Sequence, residues 1–335
     1  NIMLLLCSNR TEKQHYVPRV YLKGFAPQYL DKCSENSKSS KIKYCVFYYD
    51  LQERTQSNIA VPIYSVCFER NLYEVTGKSG EIVYDNRLEN RFSRLERRYA
   101  ELRTNIEKKA FVKDNYKIKS FLTYDEKLHL MGYMTIQLLR TPTILNLALK
   151  VAKEVWKNDK SEEQLKNIVR IQCLSFIDTY CRNDEKYVDN NKKFVGISDN
   201  QFEILGSIIR PMVGMSFMIG VDNKSRLITS DNPVYIRNSN KECLMKGEVV
   251  QNDEIIFPIT ASLCLIMVGG ENKDRYPKNC LFEITDEWRK HIFAAMCTTD
   301  KKIFSNHKFD KDELKIIDEV LKDEAKGDTE CHILT

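Results

Sequence analysis

The chain has 335 residues, 42% hydrophobic and 30% charged, with 52 basic against 47 acidic side chains and a formal net charge of +5. This is the composition of a globular protein with a sizeable core, and a basic excess this small does not mark a nucleic-acid binder unless it is gathered into a local patch. Eleven scattered cysteines with no CxxC pair and no regular cysteine–histidine spacing exclude a zinc finger and fit free thiols in a reducing compartment.

The length exceeds that of a typical single domain. The expectation is one large domain over residues 1–335, subdivided into a strand-rich part (12–80), a helical part (81–220) and a mixed part (221–326). The apolar start Ile2-Met3-Leu4-Leu5-Leu6-Cys7 is too short for a secretory signal and lacks a preceding basic region. No stretch approaches the roughly 20 apolar residues of a membrane span, and a cytoplasmic location is expected.

The first informative stretch is Lys13-Gln14-His15-Tyr16-Val17-Pro18-Arg19-Val20-Tyr21-Leu22-Lys23-Gly24-Phe25, which holds one of five histidines. Pro18 fixes its own φ and drives Val17 to an extended conformation, so His15 precedes a stiffened turn. Val20, Tyr21 and Phe25 form an apolar face behind it. A neutral imidazole on a rigid support near cations suits proton transfer or metal ligation; a buried histidine that caps a turn is the plainer alternative.

Residues 31–43, rich in Ser, Lys and Asn, read as a solvated loop. Ile42–Asp50, Asn58–Tyr64 and Asn71–Val75 read as strands of a small antiparallel sheet. Residues 81–110 form a helix, because Tyr84, Leu88, Phe92, Leu95, Tyr99, Leu102 and Ile106 recur at steps of four and three. Glu89 and Glu96 lie two turns apart beside that stripe. They either salt-bridge to neighbouring arginines or form a carboxylate pair able to hold a divalent metal.

A second helical region, Tyr124–Asn158, is split or kinked by Pro142. Tyr133, Gln137 and Arg140 share one of its faces, facing a polar cavity or, in the case of Arg140, tying two elements together. Ser161–Arg182 opens on the capping box Ser161-Glu162-Glu163-Gln164. Residues 183–193 read as a loop and Asn200–Ile219 as a buried helix. The pattern then changes to strands at 226–229, 234–237, 254–258, 262–268 and 280–284. Asp286–Cys297 is a helix, Lys302–Ser305 a strand and Lys311–Lys326 a terminal helix. The order argues for an α+β class: a helical middle, a small N-terminal antiparallel sheet, and C-terminal strands packed on helices.

Asp231, in Thr229-Ser230-Asp231-Asn232-Pro233, sits at a strand end on a rigid turn, either as a functional carboxylate or as the acceptor of an Asx turn. With these residues in view, the chain resembles a family catalogued as domain of unknown function 4238. The resemblance rests on Gln14-His15-Tyr16-Val17-Pro18 with Tyr21-Leu22 and Phe25, on Leu88-Glu89 and Leu95-Glu96, on Gln137 with Arg140, on Thr229 to Pro233, and on Phe257-Pro258-Ile259-Thr260. It spans roughly residues 12–306. It implies a soluble, mostly microbial protein and, as an expectation, cargo of a mobile element or phage defence. One departure is that His291-Ile292-Phe293-Ala294-Ala295-Met296 stands where relatives carry an Asn-containing helix, so His291 is left out of the site.

Three functions follow from the residues. In a nuclease or other phosphodiester hydrolase, His15 is base or metal ligand, Glu89, Glu96 and Asp231 hold Mg²⁺ or Mn²⁺, and Arg140 stabilises phosphoryl charge. In a binding module without turnover, Tyr16, Tyr21 and Tyr133 stack on a nucleotide, nucleic acid or peptide and Arg140 pairs with phosphate, with Gln137 and Asn232 as further contacts. In a structural reading, the same side chains form a buried network that fixes the fold. There is no GxGxxG, GxxxxGK[ST] or GxSxG motif, which disfavours nucleotide-cofactor enzymes and serine hydrolases.

Overall fold

The computed structural model describes residues 12–31, 41–76, 82–83, 87–112, 120–156, 159–170, 212–237, 254–270, 274, 276, 278–298 and 301–325. Its centre is a five-stranded sheet built from β9 (Ser216–Val221), β11 (Tyr235–Arg237), β12 (Glu254–Thr260), β13 (Leu263–Val268) and β14 (Cys280–Glu283). The strand order is β11-β12-β13-β9-β14, antiparallel except where β14 runs parallel to β9.

Successive side chains of a strand point to opposite faces, and here both faces are buried. Phe217, Ile219, Ile255, Phe257, Ile259, Leu263 and Leu265 belong to one apolar cluster. Met218, Ile256, Cys264 and Ile266 belong to another. The first face is covered by α1 (Arg19–Leu22), α2 (Arg87–Ala110) and α3 (Tyr124–Leu139). The second is covered by α5 (Asp286–Cys297) and α6 (Lys311–Ala325).

Covering both faces explains one correction. The helix expected at Asn200–Ile219 is, from Ser216 on, the strand Ser216–Val221, buried at every position, while Met212 and Val213 before it are helical. A strand buried on two sides has no alternation, so its apolar run cannot be told from a buried helix by period. The rest of that helix, the loops 31–43 and 183–193, and Tyr84 fall wholly or largely outside the described residues.

The second sheet runs β10 (Thr229–Ser230), β15 (Lys302–Ser305), β3 (Lys41–Asp50), β2 (Gln28–Asp31). The N-terminal sheet is therefore not made from N-terminal strands alone. Ile303 pairs with Tyr49, and Ser230 pairs with Ile303 on its other side. The strand expected at Asn58–Tyr64 shrinks to β5 (Val61–Pro62) followed by a 3₁₀ turn at Ile63–Ser65, since Pro62 has no N–H to continue a ladder. The strand expected at Asn71–Val75 starts only at Val75, as β7 (Val75–Thr76), because Asn71 takes a left-handed φ of 55°.

The helices follow their sequence signals. Phe92, Leu95, Tyr99, Leu102 and Ile106 of α2 are all buried. Thr123 caps α3 through the Glu126 N–H while Glu126 caps back, a reciprocal box. Pro142 opens α4 (Pro142–Val155), so the long helical region splits at Arg140–Thr141. Ser161 and Gln164 cap each other at the head of the helix over 162–170. Among the described residues no helix is long and apolar enough to cross a membrane.

Candidate functional site

β1 (Lys13–His15) pairs antiparallel with β6 (Phe68–Arg70), His15 opposite Phe68. Pro18 then starts α1 from an extended φ/ψ of −61°/141°. Alternation along β1 turns Gln14 inward. Its Nε2 donates to Glu74 Oε1 at 2.8 Å and its Oε1 accepts the Tyr73 N–H at 2.7 Å. His15 faces the other way, its ring 5.7 Å from that of Phe68, which Lys13 Nζ covers at 4.8 Å.

The end of the motif docks on β12. The Tyr21 hydroxyl donates to Pro258 O at 2.6 Å and its ring stacks on Phe257 at 5.3 Å. With its single proton spent there, it accepts from Thr229 Oγ1 at 2.8 Å. Tyr99 donates to Ile259 O at 3.3 Å. A Cβ on Gly24 would lie 2.9 Å from that same carbonyl, so only glycine lets the backbones approach. Phe257-Pro258-Ile259-Thr260 is thus the seat that receives Tyr21, Gly24 and Tyr99.

Arg140 holds the other side. It is 2% exposed. Nη2 donates to His15 O at 2.5 Å, Nη1 to Glu96 Oε1 at 3.1 Å, and Nε to the Tyr73 hydroxyl at 3.4 Å. Its guanidinium lies 3.9 Å from the Phe92 ring centroid. Four residues before Arg140 along the backbone, Ile136 accepts its N–H, and one position further Gln137 donates through Nε2 to Tyr16 O at 2.8 Å. Arg140 and Gln137 thus grip the carbonyls of His15 and Tyr16. Tyr133, one turn earlier, stacks on Tyr99 at 3.8 Å.

Of the expected site residues, His15, Tyr16, Glu96, Tyr133, Gln137 and Arg140 come together where β1, α2 and α3 meet. Arg140 ties elements together rather than facing an open cavity. Glu96 gives an oxygen to Arg140. Glu89 lies on α2, and its side chain is outside the described residues. Asp231 is buried and held by β15: its N–H donates to Lys302 O at 2.9 Å and its Oδ1 accepts the Lys301 N–H at 3.2 Å. Asn232 follows on the same turn, its N–H bonded to Ser230 Oγ at 3.2 Å. Two positions before Asp231, Thr229 bonds the Tyr21 hydroxyl, and Tyr21 packs on Tyr99, which stacks on Tyr133. Among the described residues no three His, Cys, Asp or Glu side chains gather as a metal would need.

His15 is the electrostatic centre. Burial first, then the Arg19 charge, and further Arg140 and Lys13, bring its pKa from 6.5 down to about 4, against a hydrogen bond to the Tyr64 backbone that favours the proton. Nε2 is buried and meets no donor or acceptor among the described residues. The Tyr64 bond therefore falls to Nδ1, which carries the proton of the neutral ring and leaves Nε2 with its lone pair. Tyr64, Tyr73 and Glu74 were invisible as partners in the sequence, where 49 to 60 positions separate them from the motif. Lys13 and Arg19 were visible beside His15.

A half-buried, neutral histidine held by its own main chain, next to exposed cations, sits on an α+β scaffold whose sequence carries no nucleotide-cofactor motif. The family model described as "Protein of unknown function (DUF4238)" matches residues 13–309, and the chain belongs to that family. No curated protein and no solved structure matches it.

Proposed function

We propose that the protein is a phosphodiester hydrolase, a nuclease, with His15 as its general base. The observation that carries this reading is the Nε2 lone pair: buried, without a partner among the described residues, and flanked by Lys13, Arg19 and Arg140. A histidine with so low a pKa is in its base form throughout the neutral range. Lys13 and Arg19 are both exposed and offer cationic donors to a phosphate. Arg140 acts as a positioning residue through the His15 carbonyl. Tyr16 and Asn232 are proposed substrate contacts.

A divalent cation, Mg²⁺ or Mn²⁺, beside His15 would draw on Glu89 without Asp231, which is held at the β15 end, and would polarise a phosphoryl oxygen. Glu96 already serves Arg140, and no step is assigned to a metal. The test is cleavage of labelled RNA and DNA, with and without Mg²⁺ or Mn²⁺, by the wild type and by His15→Ala. Loss of cleavage in the variant supports the reading; equal cleavage by both, or none under any condition, removes it.

The second reading is binding without turnover. It is favoured by the exposed Lys13 and Arg19, which can pair with a phosphate in place of Arg140, three of whose N–H groups are spent inside the protein. It expects retention of labelled RNA or a mononucleotide, weakened by Lys13→Ala and Arg19→Ala, with no product formed.

A further inference from the structure

The α3 face beside His15 carries two polar atoms that meet no hydrogen-bond partner among the described residues: the Tyr133 hydroxyl and the Gln137 side-chain oxygen. Both residues are fully buried, at 2% and 1% exposure. They stand at i and i+4 on one helix and so on the same side of it. Buried polar atoms of this kind are almost always bonded to something.

The chemistry of the missing bond is constrained. Gln137 Nε2 donates to Tyr16 O at 2.8 Å. Turning the amide over would set two oxygens against each other, so the end without a protein bond is an acceptor. The Tyr133 ring lies flat on Tyr99, at 3.8 Å and 8°, which fixes where its hydroxyl emerges. A bare phosphate or carboxylate has no proton to give Gln137. An ammonium has protons, but the Glu96 carboxylate that would favour it beside Tyr133 is already paired with Arg140 at 3.1 Å.

We infer that Tyr133 and Gln137 form a binding site for a single hydroxyl group, which donates to Gln137 Oε1 and accepts from the Tyr133 hydroxyl. The group belongs to a water molecule or to the sugar of a bound ligand. This inference goes beyond the hydrolase reading, because the hydroxyl is held whether or not any bond is cut.

Tyr133→Phe is a clean test, since the oxygen it removes has no bond to the protein. If a hydroxyl is held there, the melting temperature falls by about 1–2 °C, the shift expected for one lost hydrogen bond in a chain of this size. An unchanged or higher melting temperature overturns the site, because a buried hydroxyl bonded to nothing is better absent. Two probes, adenosine and 2′,3′-dideoxyadenosine, then separate the sources. Stabilisation of the wild type by adenosine alone, lost in Tyr133→Phe, assigns the hydroxyl to a sugar. An ordered oxygen between Tyr133 and Gln137 in a crystal of the unliganded protein assigns it to water.

Discussion

His307 and His15 both sit among charged side chains, but their ring nitrogens are used differently. His307 Nδ1 lies 2.7 Å from Asn306 Oδ1 and 2.8 Å from Ser305 Oγ, while Nε2 lies 2.8 and 3.1 Å from the two Glu313 oxygens. Around it, Arg226 pairs with Asp310 and Glu313, Asn306 donates to Ser225 O, and Arg289 pairs with Asp222. That network is closed: each group is consumed in holding α6 and the turn before β10 together. The network at His15 is equally dense but open, with Nε2, the Tyr133 hydroxyl and Gln137 Oε1 left over. A fully bonded polar network specifies a fold; one with free ends beside a base is where chemistry has room.

If the open network is also the structural clamp of the N-terminal half, breaking it costs most. Arg140→Met strands the Glu96 carboxylate and the His15 and Tyr73 oxygens, and should destabilise the protein by about 3–5 kcal/mol in urea unfolding. A loss under about 1 kcal/mol would mean that Arg140 is not the clamp described. Gln14→Leu should cost about 2 kcal/mol, because Glu74 and the Tyr73 N–H each lose a buried partner.

The third effect is a pH dependence. His15 has a lowered pKa in the folded state, so below the unfolded value of 6.5 the unfolded chain binds the proton first. Its contribution is full above pH 6.5 and is lost as pH falls toward about 4. Allowing for solvent screening of a ring that is not fully buried, the loss is on the order of 1–2 kcal/mol. His15→Gln should flatten the stability profile over that window; an unchanged slope would assign it to other groups. The smallest effect belongs to the closed network. Arg226→Ala removes two ion pairs of a half-exposed side chain and should cost less than about 1 kcal/mol, diminishing with salt.

The elements that were legible in sequence are those with one buried face or an explicit cap. Asp286–Cys297 and Lys302–Ser305 match their expected bounds, and α2, α3 and α4 follow their stripes and Pro142. β9 was misread because both its faces are buried. β6 was missed because three residues, Phe68–Arg70, carry too little pattern and take their register from β1, more than 50 positions away. In the site, the shared face of Tyr133, Gln137 and Arg140 was readable from spacing, and so was the alternative that Arg140 ties elements together. Its actual partners, Tyr73 and Phe92, were not, since nothing local in α3 points to them.

Nitrogen NMR of His15 in the intact protein, followed across pH, reads directly the ring nitrogen on which the proposed function depends. The structure predicts a neutral ring at pH 7 with the proton on Nδ1, titrating near pH 4, and with Nε2 as the unprotonated nitrogen. A proton on Nε2 at neutral pH, or a titration at or above 6.5, would contradict the assignment of His15 as a poised base.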